Sequence, residues 1–385
     1  MKNENNINYN LNCINTNPSF QNSIQNKEHY FRYQKLDNDT YINEYSYENI
    51  YNTTGCVFDA IDLVMKGTAK NAFALIRPPG HHAGYYGPVE NPIFTSMGFC
   101  IVNNVAIGAA YAKYKYKNDI NKIAIVDFDV HHGNGTEEII QMLTGKIFSD
   151  VSISEKNVTI TTKTNKKINW LDFDDAKNIL FISTHVYIED DPKTFYPYTG
   201  GTVTNTHKES YLYPGGILNI PFGLKNNNPK DYRNVFKAKI IPRLYKFKPD
   251  LIFISAGFDG HENEIINQKK MQLTEFDFAY ITQQIQFVAN KFCKGRVVSI
   301  LEGGYNVSTG IISSFAQSAF VHTRFLNLSI NMFHCYDAKL TGNKRKYEIS
   351  EDNDIFDKFT KGKIKPRRSD RIRHQEDEEN KKDDF

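Results

Sequence analysis

Short apolar runs recur along the chain, each closed by glycine or a polar cluster, and stretches of helical period lie between them. Glu48 to Lys66 sets Ile50, Val57, Ile61 and Val64 at helical spacing, which predicts an amphipathic helix. Ala72 to Ile76 reads as a short strand running into RPPGHHAGYYG. Met97 to Lys117 reads as a strand or turn entering a helix, with Val102, Val105, Ala109 and Ala112 on one face. Ile123 to Val126 is a β-branched run of the kind buried in a parallel sheet; Gly133 and Gly135 end it, and a short helix follows. Residues 145–176, rich in Lys, Thr, Ser, Asn and Asp, lack an apolar period and read as an inserted surface loop. The alternation then resumes with a strand at 179–184, a loop holding FYPYTGG and a strand at Ile217 to Ile220. It continues with a helix over 231–246, a strand at 250–255, a helix over 274–292, a strand at 296–301 and a helix from residue 309. Strands alternating with helices predict an α/β fold, one mostly parallel central sheet with helices on both faces.

The two ends break this pattern. Residues 1–28 are polar and Asn-rich with little to bury, which predicts disorder and places the folded domain at 29–338. Residues 339–385 form a charged tail, with KRK at 344–346, seven Lys or Arg between Lys361 and Arg373, and the acidic close EDEEN and KKDDF. A solvated, disordered tail is the plain reading of such charge blocks; nuclear import or nucleic-acid contact through the basic run is the alternative.

Composition adds bounds. At 385 residues and 40% hydrophobic content the chain can bury the core of one large α/β domain or two smaller ones. A net charge of +3 points to no particular partner. The five cysteines at 13, 56, 100, 293 and 335 are odd in number, widely spaced and contain no CxxC, so neither a disulfide framework nor a thiolate zinc site is indicated, and a reducing intracellular compartment fits best. No stretch approaches membrane-spanning length, and the start lacks the charged-then-apolar order of a secretory signal.

Candidate chemistry gathers where the apolar runs stop. In extended backbone Asp127, Asp129 and His131 point one way while Val126, Phe128 and Val130 point the other. Two carboxylates and an imidazole beyond a strand's carboxyl end suit zinc or a similar divalent ion. For an isolated D-x-H, pairing with loop amides is the plainer explanation. Three more strand ends change that balance: His81 and His82 in RPPGHHA, Asp259 in SAGFDGH and Tyr305 in LEGGYN. Each alone reads as a turn glycine, a capping Asp or a packed Tyr, but four strand ends delivering these groups to one sheet edge are hard to explain as packing.

RPPGHHA, DFDVHHGNGT, SAGFDGH and LEGGYN, in this order and at these intervals, resemble the zinc-dependent histone deacetylase family in its class II-like branch, over residues 37–330. The resemblance implies an arginase-like deacetylase fold with one Zn2+ per active site, held by Asp129, His131 and Asp259. It implies His81 and His82 as the catalytic pair, Tyr305 as a phenol facing the metal, Asp127 holding His81, and Asn134 orienting His82. By the same resemblance Phe99, in Gly98-Phe99-Cys100, and Tyr196 wall a narrow tunnel suited to the apolar stem of acetyl-lysine. Asp127 and Ser183 would contribute to a structural K+ site.

The implied activity is hydrolysis of the acetyl amide on lysine side chains of histones or other proteins, in nucleus or cytoplasm. Acetylated histone tails would be the substrates, corepressor-type proteins the partners, and transcription repression through chromatin regulation the setting. Two alternatives stay open. One is an acetylpolyamine amidohydrolase, because Glu262 and Glu264 lie near Ile265 and Ile266, where such enzymes carry an acid. The other is a weakly active acyl-lysine-binding module, against which the retained His81, His82 and Tyr305 count. Asp37 and Asp39 are candidates for the family's acidic rim residue. The chain departs from the family in the few residues before RPPGHH, in the 145–176 insertion near a second monovalent-cation site, and at Val186, where Arg is common in this branch.

Overall fold

The computed structural model describes residues 34–89, 97–144, 146–155, 158–166, 168–201, 216–308 and 312–327, with backbone alone over 144–166. The Asn-rich start and the charged tail with its basic run lie outside the described residues. In chain order the strands are β1 (Gln34–Lys35), β2 (Tyr41–Ile42), β3 (Asn71–Ala74), β4 (Ile123–Asp127), β5 (Lys146–Glu155), β6 (Val158–Lys166), β7 (Ile179–Val186), β8 (Gly216–Phe222), β9 (Leu251–Ala256) and β10 (Val297–Leu301). Six of them form one parallel sheet in the order β3-β10-β9-β4-β7-β8.

Every residue of β4, β7, β9 and β10 is buried. Strands flanked on both edges and covered on both faces have no solvent side, so IAIVD, ILFISTHV, LIFISA and VVSIL read as mainly apolar runs, with no polar residue at every second position. On one face, Val57, Ile61 and Val64 of helix Ser46–Met65 and Val105, Ala109 and Ala112 of helix Asn104–Lys115 join Ile123, Ile125, Phe253, Val298 and Ile300 in one core. The two helices approach closely enough that a Cβ on Gly108 would lie 2.8 Å from Val57 Cγ1. On the other face Ser299 of β10, between Val298 and Ile300, turns to His322 of helix Ser314–Asn327 at 2.7 Å.

Two expectations change. Within the insertion at 145–176, β5 and β6 pair antiparallel with a bulge between Asp150 and Ser152, and a short helix, Asp175–Asn178, follows. Its sequence V-T-I-T-T-K-T is polar yet β-branched, and β-branched residues favour strands whatever their polarity. The expected helix over 231–246 is also interrupted. Helix Pro229–Val235 passes through a π-helical turn, Phe236–Ile240, into Ile241–Phe247. Pro242 lacks the N–H that would bond back along the helix, which accounts for the widened turn before it.

The winding positions the site. The chain runs outward from β4 through β7 to β8, then returns to the other side of β4 for β9 and β10. The order therefore reverses between β4 and β9, and ligands in open α/β sheets bind beyond the carboxyl ends of strands at such a reversal.

His322 sets an acid limit on this core. It is fully buried among the rings of Phe73, Phe128 and Phe258, with Thr282 Oγ1 2.6 Å from Nδ1 and Ser299 Oγ 2.7 Å from Nε2. Burial alone pushes its pKa down to about 3. The folded value lies below the unfolded one, so the stability it protects is complete above about pH 6.5 and is lost as pH falls towards 3, by up to about 5 kcal/mol. A His322→Gln variant should show a flatter fall in Tm than wild type between pH 6.5 and 4, measured by calorimetry; parallel curves would contradict this.

Candidate active site

β4 ends at Asp127, and the chain beyond it steps rather than extends. Asp129 N–H donates to Asp127 Oδ1 at 3.0 Å, and His131 N–H donates to Asp129 Oδ1 at 2.9 Å. Each short carboxylate thus captures the amide two residues on, the local turn that Asp favours. The alternation expected of a strand survives: Phe128 packs against Phe258 and Phe278, while Asp129 and His131 face the site. From the end of β9, Asp259 meets them. Its Oδ1 accepts from Val130 N–H at 3.1 Å, and its Oδ2 lies 3.0 Å from His131 Nδ1, which is 3.1 Å from Asp129 Oδ1.

The ligand atoms of Asp129, His131 and Asp259 all lie within 4.8 Å of one another, and all three residues are buried. Glycine makes the approach feasible: a Cβ on Gly257 would sit 2.1 Å from Asp129 Oδ2, and one on Gly303 2.3 Å from Asp259 Oδ2. Burial, then the charge of Asp129, pushes the Asp259 carboxyl up to about 6. Two buried carboxylates this close call for a cation, and three converging donors, oxygen, nitrogen and oxygen, fit a divalent ion that takes its remaining ligand from outside the protein. The three residues form a candidate metal site.

His81 and His82 lie beside it, ring centroids 4.1 Å apart and planes tilted by 49°. His81 Nδ1 lies 2.9 Å from Asp127 Oδ2 and its Nε2 3.8 Å from Asp129 Oδ1. Burial opposes a charge on His81, but the carboxylates of Asp129 and Asp127 overcome it and hold its pKa well above the usual imidazole range. His82 goes the other way: burial, then the neighbouring His81 and His131, holds it well below. Asn134 Oδ1 is 2.7 Å from His82 Nδ1, so that nitrogen carries the proton and Nε2 remains an acceptor. Asp127 and Ser183 pair in register across β4 and β7, both buried, and Ser183 Oγ also meets His185 Nδ1 at 2.9 Å.

Aromatic rings border these groups. Phe99, at φ +67, stands edge-on to Tyr305 at 5.7 Å. Tyr196 stands edge-on to His82 at 5.0 Å, and Phe195 stacks on His131 at 5.2 Å. Gly98, at φ +51, has no space for a side chain, since a Cβ would lie 2.4 Å from His82 and 2.9 Å from Tyr196 Oη. Burial, then the Asp259 and Asp129 charges, drives the Tyr305 phenol well above its ordinary range, so it stays protonated and able to donate. Of the rim candidates, Asp37 accepts from the Asp39, Thr40 and Met97 amides. Near the polyamine position Ile265 is 90% exposed, Glu262 is exposed and Glu264 is buried. Val186 is buried at the end of β7, its N–H on Val130 O at 2.9 Å.

Three supporting groups were not singled out from sequence. Glu302 accepts from Gly80 N–H at 2.7 Å, His81 N–H at 3.1 Å and Ser255 Oγ at 3.0 Å, and so fixes the turn that carries the histidines. Arg77 lies over the Tyr305 ring at 4.8 Å and donates to Glu302 O at 2.7 Å. His132 joins Glu137 at 2.7 Å and Thr199 at 2.8 Å, while His185 Nε2 meets Gly200 O at 2.8 Å; together they hold the segment bearing Tyr196. A charged residue closing an apolar strand was the one visible signal, at Glu302.

Fold and site define an α/β protein with a buried carboxylate–imidazole cluster, a candidate metal site, at the reversal point of a parallel sheet. Residues 11–320 match the family described as "Histone deacetylase domain". The chain is 43% identical over 270 residues to Type-2 histone deacetylase 2 of Dictyostelium discoideum, covering 70% of this chain and 13% of that protein. It is 32% identical over 277 residues to Histone deacetylase 15 of Arabidopsis thaliana, covering 71% of this chain and 40% of that protein. The crystal structure of the HDA15 HD domain superposes with a TM-score of 0.56 at 31% identity, covering 76% of this chain and 68% of that one. The chain belongs to the histone deacetylase family and has its arginase-like deacetylase fold. It spans less than half the length of these two curated relatives. Among the described residues no helix is long and apolar enough to cross a membrane.

Proposed function

We propose that this chain is a zinc-dependent lysine deacetylase acting on acetyl-lysine in histones or other proteins. The observation that carries the reading is the convergence of Asp129, His131 and Asp259 beside a His81–His82 pair of opposite electrostatic character. Zinc held by those three residues would polarise the amide carbonyl and acidify a water beside it. His82, with Nε2 as acceptor, takes the proton of the attacking water and delivers it to the leaving lysine amine. His81, between Asp127 and Asp129, keeps its charge and stabilises negative charge building on the substrate. Tyr305 donates its hydroxyl to the amide oxygen. Phe99 and Tyr196 flank the acyl-lysine stem, whose burial gains about 0.8 kcal/mol per methylene.

Potassium between the paired Asp127 and Ser183 would brace the base of the site. Nuclear or cytoplasmic action on chromatin, with corepressor-type partners, follows from the family reading. The acetylpolyamine alternative loses ground because the position for an ammonium-binding acid holds Ile265 and Ile266.

The test is hydrolysis of an acetyl-lysine peptide by zinc-loaded full chain, set against acetylspermidine. The peptide should be the better substrate, and Tyr305→Phe should cost about 100- to 1000-fold in kcat with zinc content unchanged. A preference for acetylspermidine would sink the protein-deacetylase reading, and an unimpaired Tyr305→Phe would remove the phenol's role.

A further inference from the structure

The loop that bears Asp259 also grips the loop that bears Tyr305. Glu264 is 3% exposed, and its Oε1 accepts from the backbone N–H of Tyr305 at 2.9 Å and of Asn306 at 2.8 Å. Burying a carboxylate is costly unless charge-assisted hydrogen bonds offset it, and two successive amides on one oxygen do that. Beside this grip, Asn306 Nδ2 donates to Asn263 O at 2.7 Å. At the loop's other end Gly303 N–H donates to Asp129 Oδ2 at 2.8 Å, and Phe258 N–H donates to Gly303 O at 2.9 Å. Between the two clamps Gly304 stands at φ +124, a conformation in which other residues are strained.

The gripping loop is braced in its turn. Asn267 Nδ2 donates to Asp259 O at 3.1 Å and to His261 O at 2.7 Å, which folds residues 259–267 back on themselves. The contacts of Phe99 and Arg77 are made to the Tyr305 ring; Glu264 holds its backbone N–H, and Asn263 O holds the side chain of the next residue, Asn306.

We propose that Glu264 is a positioning residue for Tyr305. Its carboxylate fixes the backbone from which the phenol reaches the amide oxygen, and so ties the position of the donor to the loop that supplies Asp259. The same two bonds commit Glu264 Oε1 to the Tyr305 loop. This role rests on the reading of Tyr305 as the oxyanion donor.

The test uses the full chain as wild type, Glu264→Ala, Glu264→Gln, Tyr305→Phe and the Glu264→Ala/Tyr305→Phe double variant. Amide hydrogen exchange over residues 303–307, without added zinc, should speed up about 10-fold or more in Glu264→Ala. Glu264→Gln keeps an amide oxygen able to accept both bonds and should exchange like wild type. In the zinc-loaded proteins Glu264→Ala should lower kcat on an acetyl-lysine peptide about 10- to 100-fold, with KM and zinc content within about twofold. In the Tyr305→Phe background the same change should cost under about threefold, because the group it positions is gone. Unchanged exchange in Glu264→Ala, or losses that multiply in the double variant, would overturn the role. An inactive zinc-loaded wild type would instead overturn the deacetylase reading itself, and the role with it; an active wild type with multiplying losses overturns the Glu264 role alone.

Discussion

Replacing His82 with Ala should lower kcat on an acetyl-lysine peptide by roughly 100- to 10,000-fold, the range spanned by loss of a positioned acid–base group. Metal content and KM should hold, because His82 is not among the three converging ligands. The expectation rests on the contrast between the two adjacent imidazoles. His81 has a carboxylate near each ring nitrogen and is held cationic, which leaves it no lone pair to accept a proton. His82 has the Asn134 amide oxygen at Nδ1, and burial with two neighbouring imidazoles outweighs the more distant Asp129 charge, so it stays neutral with Nε2 available. Asn134→Ala leaves the ring but releases its tautomer and should fall between wild type and His82→Ala, in line with the roughly 10- to 100-fold cost of losing a supporting hydrogen bond. Steady-state kinetics at saturating substrate decide it; a His82→Ala enzyme within about threefold of wild type would move the base elsewhere.

That contrast is invisible in the string His81-His82, where both residues have the same side chain and the same turn. The sheet was legible because it is buried: expected strands at 72–76, 250–255 and 296–301 stand at Asn71–Ala74, Leu251–Ala256 and Val297–Leu301. Burial on both faces turns a strand into an apolar run with sharp polar ends, and those ends are where Asp129, His131 and Asp259 lie. The hairpin over β5 and β6 was not legible from polarity, since its strand character resides in the branching of Thr, Val and Ile. Glu264 and Glu302 were hidden for another reason. Each acts on backbone amides brought to it by a different strand end, Glu264 on residues 305–306 and Glu302 on residues 80–81. No pattern along one segment records such a pairing.

Asp259→Asn should strip the protein of zinc and abolish hydrolysis, an effect larger than the roughly 10- to 100-fold loss of affinity typical of a supporting residue. Asn keeps the volume and the oxygen that accepts from Val130 N–H, so the fold around the end of β9 has no reason to change. What it loses is one of two buried negative charges that stand against His131 Nδ1 at 3.0 and 3.1 Å. With both carboxylates the centre carries more negative charge than His131 offsets, and a divalent ion relieves it; with one, the imidazolium of His131 pairs with Asp129 and satisfies the pocket unaided. Equilibrium dialysis with zinc, followed by elemental analysis, should give about one ion per wild-type chain and far less than one for Asp259→Asn at the same free concentration. Equal zinc in the two proteins, with thermal unfolding unchanged, would mean that the ion sits elsewhere and that Asp129 and His131 pair only with their own loop.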